Sequence, residues 1–586
     1  MYQDVYYVDK RTGTFADVFL AYGLGTLLDS ILAHFVEGDR WVRIRDCGPY
    51  YAVELSLPLR EEWVEKAPFQ ALAPYLHTGG TNLNVLASLS ASMIVDYQQE
   101  WDRFRQYTQI SQEERQKMPN EQLAQLSPHP QFSVFTWVGE RRMKALSSYN
   151  GLVLRWQELA PHFAENLRHI LMLCAAPDGD VGAVETAWRK RMKELNVVTK
   201  SEATLLQLFN PSQGKGLNEP KANHLNMRNI KSFWLMEYLK AVGMYHCAVP
   251  RVVKIGGKFS GDYKTYALAP VNMRLGANDA ILADFQEALW NDTTVKMDIL
   301  AAFRYTRCFL DYCETAKGAD LMAELFGHGP EDFVAGMYVA YYKDLGQASA
   351  VMNLSFIELP RWMQVKSPND VTTYKEVIEE HENVIRNIDE ERGGYDLLTY
   401  YRDFLSGGKW DAFFDFTAAY GPFLMREIDR EHYWVKPFTI HNLEVMIMKS
   451  NEPLTPILDT PGFRNLAEAI RHSTIIPQGR KARNQDYLYD IRYGLGQELK
   501  RKALYNDEFI AALSEFMQSY NAENARVLEH KKQQMRKDIR TTDVEDVVRL
   551  VDRYGATIVG NLLIAFGYAR EPKEDDVMTE QAAENK

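Results

Sequence analysis

Apolar residues recur at helical spacing over most of this chain. Short alternating runs and one long polar stretch interrupt them. Val5-Tyr6-Tyr7-Val8 alternates as a strand does, and Thr14 to Phe35 is apolar at helical spacing, with Thr14 placed to cap it and Asp17 to complete a box-like start. Trp41 to Arg45 and Tyr50 to Leu55 predict a strand–turn–strand around Cys47-Gly48-Pro49. Residues 61–200 read as mostly helical with irregular joins, including a polar Thr78–Asn84 loop and a mobile surface excursion at 112–130. From Phe209 to Lys231 the pattern gives way to FNPSQGKGLNEPKANHLNMRNIK, a polar loop opened by a helix-breaking Pro211. A helix over about 229–242 follows. Arg251 to Ile255 and Lys264 to Leu268 then predict a hairpin-like pair around a turn from Gly256-Gly257-Lys258 through Asp262.

Residues 280–420 read as largely helical, with Tyr338, Tyr341 and Tyr342 taken into that pattern. After Phe423 the period is uniformly helical, with segments expected near 440–450, 462–473, 484–502, 507–537 and 541–568. The predicted architecture is an α+β N-terminal region over 1–425, mostly helical with small β-sheets. An all-α helical bundle over 426–570 and a disordered acidic tail over 571–586 complete it.

Length supports this division, since 586 residues exceed one core. Hydrophobic content of 46% and charged content of 25% are those of a globular protein. Five Cys build no disulfide framework, and Cys308 and Cys313 lack a second pair at zinc spacing. No secretory leader pattern and no run of about 18 apolar residues is read, which predicts a cytoplasmic protein.

Net charge is −12, which argues against nucleic acid until its distribution is read. Residues 201–264 hold nine Lys and Arg against four Asp and Glu. Residues 461–540 hold fifteen against ten. Local field decides where a phosphate backbone binds, so these windows are two candidate polyanion surfaces. The first runs from Lys215 through Lys221, Arg228, Lys231, Lys254 and Lys258 to Lys264. The second includes Arg480, Lys481, Arg483, Lys500 and Arg501. Lys532, Arg536 and Arg540 continue it, expected on one helical face at four-residue spacing. Either surface is alternatively a solvated helix or loop face.

Catalytic signatures do not assemble. Lys215 sits in Gly-Lys-Gly, but Phe209 and Gly216 stand where a phosphate loop needs Gly and Ser or Thr. His381-Glu382 begins like a zinc-protease helix, but Ile385 occupies the second ligand position. The expectation is a protein that is not an enzyme and that has no cofactor and no metal. A metal-dependent nuclease with a dispersed site is one alternative. A scaffold protein without a nucleic-acid role is another.

The stretch Asn210, Pro211, Gln213, Gly214, Lys215, Gly216, with Asn218 and Lys221-Ala222 after it, resembles the large subunit of type I CRISPR Cascade complexes, closest to the type I-A/I-B branch. The strand-plus-helix start and the helical end from Tyr554 to Arg570 are similar too. The resemblance implies an RNA-guided antiviral surveillance role. It implies recognition of the protospacer-adjacent motif in double-stranded DNA, help in unwinding, and R-loop stabilisation, while pairing with the guide CRISPR RNA reads sequence. Implied partners are guide RNA, target DNA, the backbone, end-cap and small subunits, and a helicase-nuclease recruited in trans. No membrane is implied.

On this reading Asn210 and Lys215 flank the duplex groove, Gln213 hydrogen-bonds a base edge, and Lys221, Arg228 and Lys231 hold phosphates. Asn210 and Asn218 alternatively serve the loop's own backbone. The C-terminal bundle would resemble the small subunit and contact the displaced strand. Some relatives of this kind also make that bundle separately from an internal start, for which Met446 or Met448, or else Met425, is placed.

Overall fold

The structure, a computed structural model, describes residues 2–78, 83–212, 219–220, 227–228, 230–432, 434–450, 452–485, 488–531 and 536–571. It is α+β in its first part and all-helical in its last. Two compact units account for it. The first holds residues 1–293, 304–321 and 330–359, and the second holds 294–303, 322–329 and 360–586. The boundary therefore falls near 359, not at 425.

The first unit opens with β1 (Val5–Asp9), α1 (Phe15–Phe35), β2 (Val42–Asp46) and β3 (Tyr50–Leu55). Thr14 caps α1 by accepting the Ala16 N–H, as its position predicts. Asp17 reaches further back than expected, to the Thr12 and Gly13 N–H groups. The helix α2 (Trp234–Cys247) follows much later and leads into β4 (Ala248–Ile255), β5 (Lys258–Pro270), β6 (Asn272–Arg274) and α3 (Leu275–Ala288). Strands β7 (Val334–Asp344) and β8 (Ser349–Glu358) close the unit.

Both four-stranded sheets are antiparallel, in the orders β1-β3-β2-β6 and β4-β5-β7-β8. α1 packs against α2 so closely that a Cβ at Gly23 would overlap the Leu239 carbonyl, and one at Gly243 the Phe19 carbonyl. By length and mean hydropathy (1.5) α1 could cross a membrane, but 67% of that window is buried inside the fold, as a core helix would be.

β7 and β8 overturn the helical reading of Tyr338 to Tyr342. Aromatic and Val residues read at helical spacing also fit a period of two, and the register decides: β7 pairs along β5 from Tyr263↔Tyr342 to Leu268↔Met337. The 112–130 excursion also contains two short helices, Gln112–Lys117 and Asn120–Leu126.

The second unit is helical: α4 (Pro368–Arg386), α5 (Tyr395–Gly407), α6 (Trp410–Asp429), α7 (Pro461–Ser473), α8 (Ile475–Ala482), α9 (Leu495–Lys502), α10 (Asn506–Lys531), α11 (Thr541–Tyr554) and α12 (Ala556–Gly567). The helix Ile440–Ser450 lies between α6 and α7. Among its described residues the expected 484–502 segment is helical only over α9. The 541–568 segment breaks at Gly555, whose φ is +84°. α6 joins the bundle through internal contacts: the Gln478 amide donates to Met425 O, Lys500 pairs with Asp415 at 2.8 Å, and Gly421 lies against the Tyr568 ring. Around it, His381, Tyr401, Phe404, Phe413, Phe416 and Phe438 form an aromatic core. That core explains why 360–425 belongs to the helical unit.

Candidate nucleic-acid interface

The stem of the polar loop is anchored inside the first unit. A turn over Leu206–Phe209 delivers Asn210 to a buried position, where its N–H bonds Leu206 O at 2.9 Å. The Asn210 amide donates to Glu237 Oε2 at 2.9 Å and to Leu206 O at 3.1 Å, and its carbonyl oxygen accepts from Lys240 Nζ at 2.7 Å. Lys240 and Glu237, one turn apart on α2, pair at 2.7 Å. Asp17 completes the neighbourhood. Burial pushes its carboxyl pKa up, opposed by hydrogen bonds from Thr12 and by the Lys240 charge. The Gln207 amide, in the orientation that satisfies both of its ends, donates to Ser349 O and accepts from Val351 N at the start of β8. Tyr342 donates to Gln207 O at 3.3 Å.

This corrects the expected role of Asn210. An acceptor and a donor already engaged by Lys240 and Glu237 in a buried position are not offered to a duplex groove. Gln213, Lys215, Asn218 and Lys221 lie outside the described residues. Of Arg228 only the backbone is described, paired with Glu219. Lys231 is exposed but ion-paired with Glu202 at 2.7 Å, which holds the Glu202 carboxyl below its usual value.

The β4–β5 hairpin is longer than predicted and turns on two residues. Gly256 and Gly257 take φ of +59° and +71°, which L side chains rarely adopt. Lys254 sits opposite Phe259 in the register, with Nζ 5.5 Å from the ring centroid. Among the described residues neither Lys254 nor Lys258 has a carboxylate within ion-pair distance. Ile255 and Phe259 are exposed beside them. Farther down the strands the cations turn inward. Arg251 is buried, its guanidinium donating to Leu289 O at 2.7 Å, to Pro250 O and to Gln286 O, and burial lowers its pKa to about 10. Lys264 is buried as well.

On the second unit, Arg480 and Lys481 end α8 and Arg483 caps it, where cations complement the helix dipole. Lys481 Nζ is 3.3 Å from the Tyr493 hydroxyl and 3.9 Å from Asp429. Lys500 is committed to Asp415. Arg480, Arg483 and Arg501 have no carboxylate within ion-pair distance among the described residues. Tyr493 and Tyr505 are exposed near them in sequence. These rings escaped the sequence reading. Their signal was aromatic residues interleaved with basic ones, which buried aromatics mimic.

Arg536 is a second correction. The described part of α10 runs to Lys531, and neither Arg536 nor Arg540 lies within a helix. Lys532 lies outside the described residues. Arg536 is buried between the rings of Tyr489 and Tyr520, 3.7 and 3.9 Å from their centroids. It donates to Glu523 and Asn524 at 2.5 Å and to His472 O at 3.1 Å. Arg540 starts α11, its N–H donating to Asp543 at 2.9 Å.

A pocket of 340 Å³ between the helices Phe163–Leu173 and Val181–Glu194 also carries charge. There Glu165 accepts from Arg168 and Arg191 at 2.8 and 3.0 Å, and these bonds hold its carboxyl below the usual range. Among the described residues no group of three or more His, Cys, Asp or Glu is placed to hold a metal ion. Compared with models of known protein families and with curated proteins, the chain matches none.

Proposed function

We propose that this chain is a non-catalytic, nucleic-acid-engaging large subunit of an RNA-guided surveillance complex of the type I Cascade kind. It would act in the cytoplasm, recognising the adjacent motif in duplex DNA, stabilising the opened strands and helping recruit a helicase-nuclease. One observation carries the reading. On a chain of net charge −12, Lys254 and Lys258 in one unit and Arg480, Arg483 and Arg501 in the other have no carboxylate partner within ion-pair distance among the described residues. Acidic residues were available to neutralise them, as they neutralise Lys231, Lys500 and Arg536. The order of an α+β unit before a helical one agrees with what the resemblance implies.

The test is co-expression with the neighbouring genes. The expected outcome is a complex carrying RNA of uniform length that binds target DNA with a steep salt dependence, because phosphate contacts release counterions. Within it, Lys215→Ala and the pair Arg480→Ala/Arg483→Ala weaken target binding. A monomeric chain without RNA or partners would overturn the proposal.

A second reading, an interaction scaffold, is favoured by β8. It is an edge strand with Met352 and Leu354 exposed and only one charged residue, Glu358. Partner binding insensitive to salt and to nuclease treatment would support it.

A further inference from the structure

The tip of the β4–β5 hairpin combines three properties that surface hairpins rarely share. It is apolar, with Ile255 51% and Phe259 68% exposed. Its charges are of one sign, Lys254 and Lys258, and both are uncompensated among the described residues. It is also rigid in register, since Lys254↔Phe259 and Ile255↔Lys258 face each other across a two-glycine turn. The Lys254 ammonium already lies over the Phe259 ring. A second exposed ring, Trp290 at 66%, is carried by a segment running beside β4, where Asn291 accepts the Val252 N–H and Asp292 O the Lys254 N–H.

A solvent-facing Phe costs apolar exposure that a partner's surface would remove. The partner must be anionic to complement two lysines, and flat to cover a ring whose neighbour is a glycine turn without side chains. Single-stranded nucleic acid meets both conditions. Its bases stack on aromatic rings while its phosphates meet adjacent cations. Duplex DNA does not, because its bases are already stacked on one another.

We infer that Phe259 is a base-stacking platform for single-stranded nucleic acid, with Lys254 and Lys258 holding the phosphates on either side of the stacked nucleotide. This rests on the nucleic-acid reading above and adds to it a defined contact with an unpaired base.

The purified full chain is titrated against a fluorescein-labelled 20-nucleotide single strand by anisotropy at several salt concentrations. Phe259→Ala is expected to weaken binding about 5- to 150-fold with an unchanged salt slope. Phe259→Tyr should restore most of the affinity, and Phe259→Leu, which keeps apolar bulk without a π face, should not. Lys254→Ala and Lys258→Ala should each lower the salt slope by about 0.7. Removing single bases along the strand should weaken wild type at one position and leave Phe259→Ala unaffected there.

If Phe259→Ala and Phe259→Leu bind within twofold of wild type while the lysine variants still lower the slope, the platform is refuted and phosphate binding stands. If wild type binds no strand at any salt, both readings fall. Equal Phe259-dependent binding to phosphatidylserine vesicles or to a polyglutamate peptide would replace the stacking assignment with a generic anionic docking tip.

Discussion

Asn210 was read as a groove-facing candidate because Asn before Pro in a polar stretch is chemically free to do that. Its side chain is instead one corner of a buried ionic group with Glu237 and Lys240. A buried pair broken on one side leaves an uncompensated charge, which costs about 3–5 kcal/mol. Lys240→Met should therefore lower the urea midpoint of the first unit's transition more than the double variant Lys240→Met/Glu237→Gln does. Arg536→Ala should also lower the second unit's urea midpoint, by less, because Arg492 and Arg526 stay 3.7 and 3.9 Å from the Glu523 carboxylate, and it should not act through strand affinity. His381 makes a pH prediction. It is fully buried against Tyr401, Phe413 and Phe438, and burial lowers its pKa to about 3 from 6.5. Below pH 6.5 the unfolded chain takes up a proton that the folded chain refuses until about pH 3. The stabilisation from this depressed pKa is therefore complete above pH 6.5 and is lost as pH falls through that window. Between pH 7 and 5 the loss is about 2 kcal/mol. In denaturation series at the two pH values, His381→Phe should lose that much less stability than wild type. No local pattern around His381-Glu382 revealed any of this, because its ring partners Phe303, Trp362, Tyr401, Phe413 and Phe438 come from separate segments.

At the scale of elements, legibility followed locality. α1 and its Thr14 cap, the β2–β3 hairpin and the glycine turn of β4–β5 are local, and each is where its own residues place it. β7 and β8 were misread because long-range pairing with β5 decides between two periods that Tyr338, Tyr341 and Tyr342 satisfy together. Close helix packing was equally invisible. Gly23 and Gly243 look like weak points in helices, whereas each admits a carbonyl of the facing helix. Gly243→Ala should destabilise the first unit by at least about 1–3 kcal/mol, read as a lower urea midpoint, because backbone must move to admit the methyl. Met446 was a candidate internal start, yet it is buried in the helix Ile440–Ser450. A fragment beginning there lacks α6, which buries Phe413, Phe416, Tyr420, Phe423 and Leu424. Each such side chain contributes about 1.5–3 kcal/mol, so their joint loss rivals a domain's whole stability of about 5–15 kcal/mol. That fragment should bind a hydrophobic dye and lack near-ultraviolet dichroism, while the full chain should do neither.

At the scale of the whole molecule, the sequence by itself determined the class of the fold, an α+β unit before a helical one, because period and composition are written residue by residue. It also located two basic windows within an acidic chain, since charge is additive along a sequence. Only the tertiary structure decided where the second unit begins, because the aromatic core joining 360–425 to the bundle is built from contacts distant in the chain. Only the tertiary structure, too, sorted the cations. Lys231, Lys500 and Arg536 are spent on Glu202, Asp415 and Glu523, whereas Lys254, Lys258, Arg480, Arg483 and Arg501 have no carboxylate within ion-pair distance among the described residues. A sequence counts charges but does not pair them. Pairing depends on which carboxylate the fold brings within about 4 Å, and that distance exists only once the chain has folded.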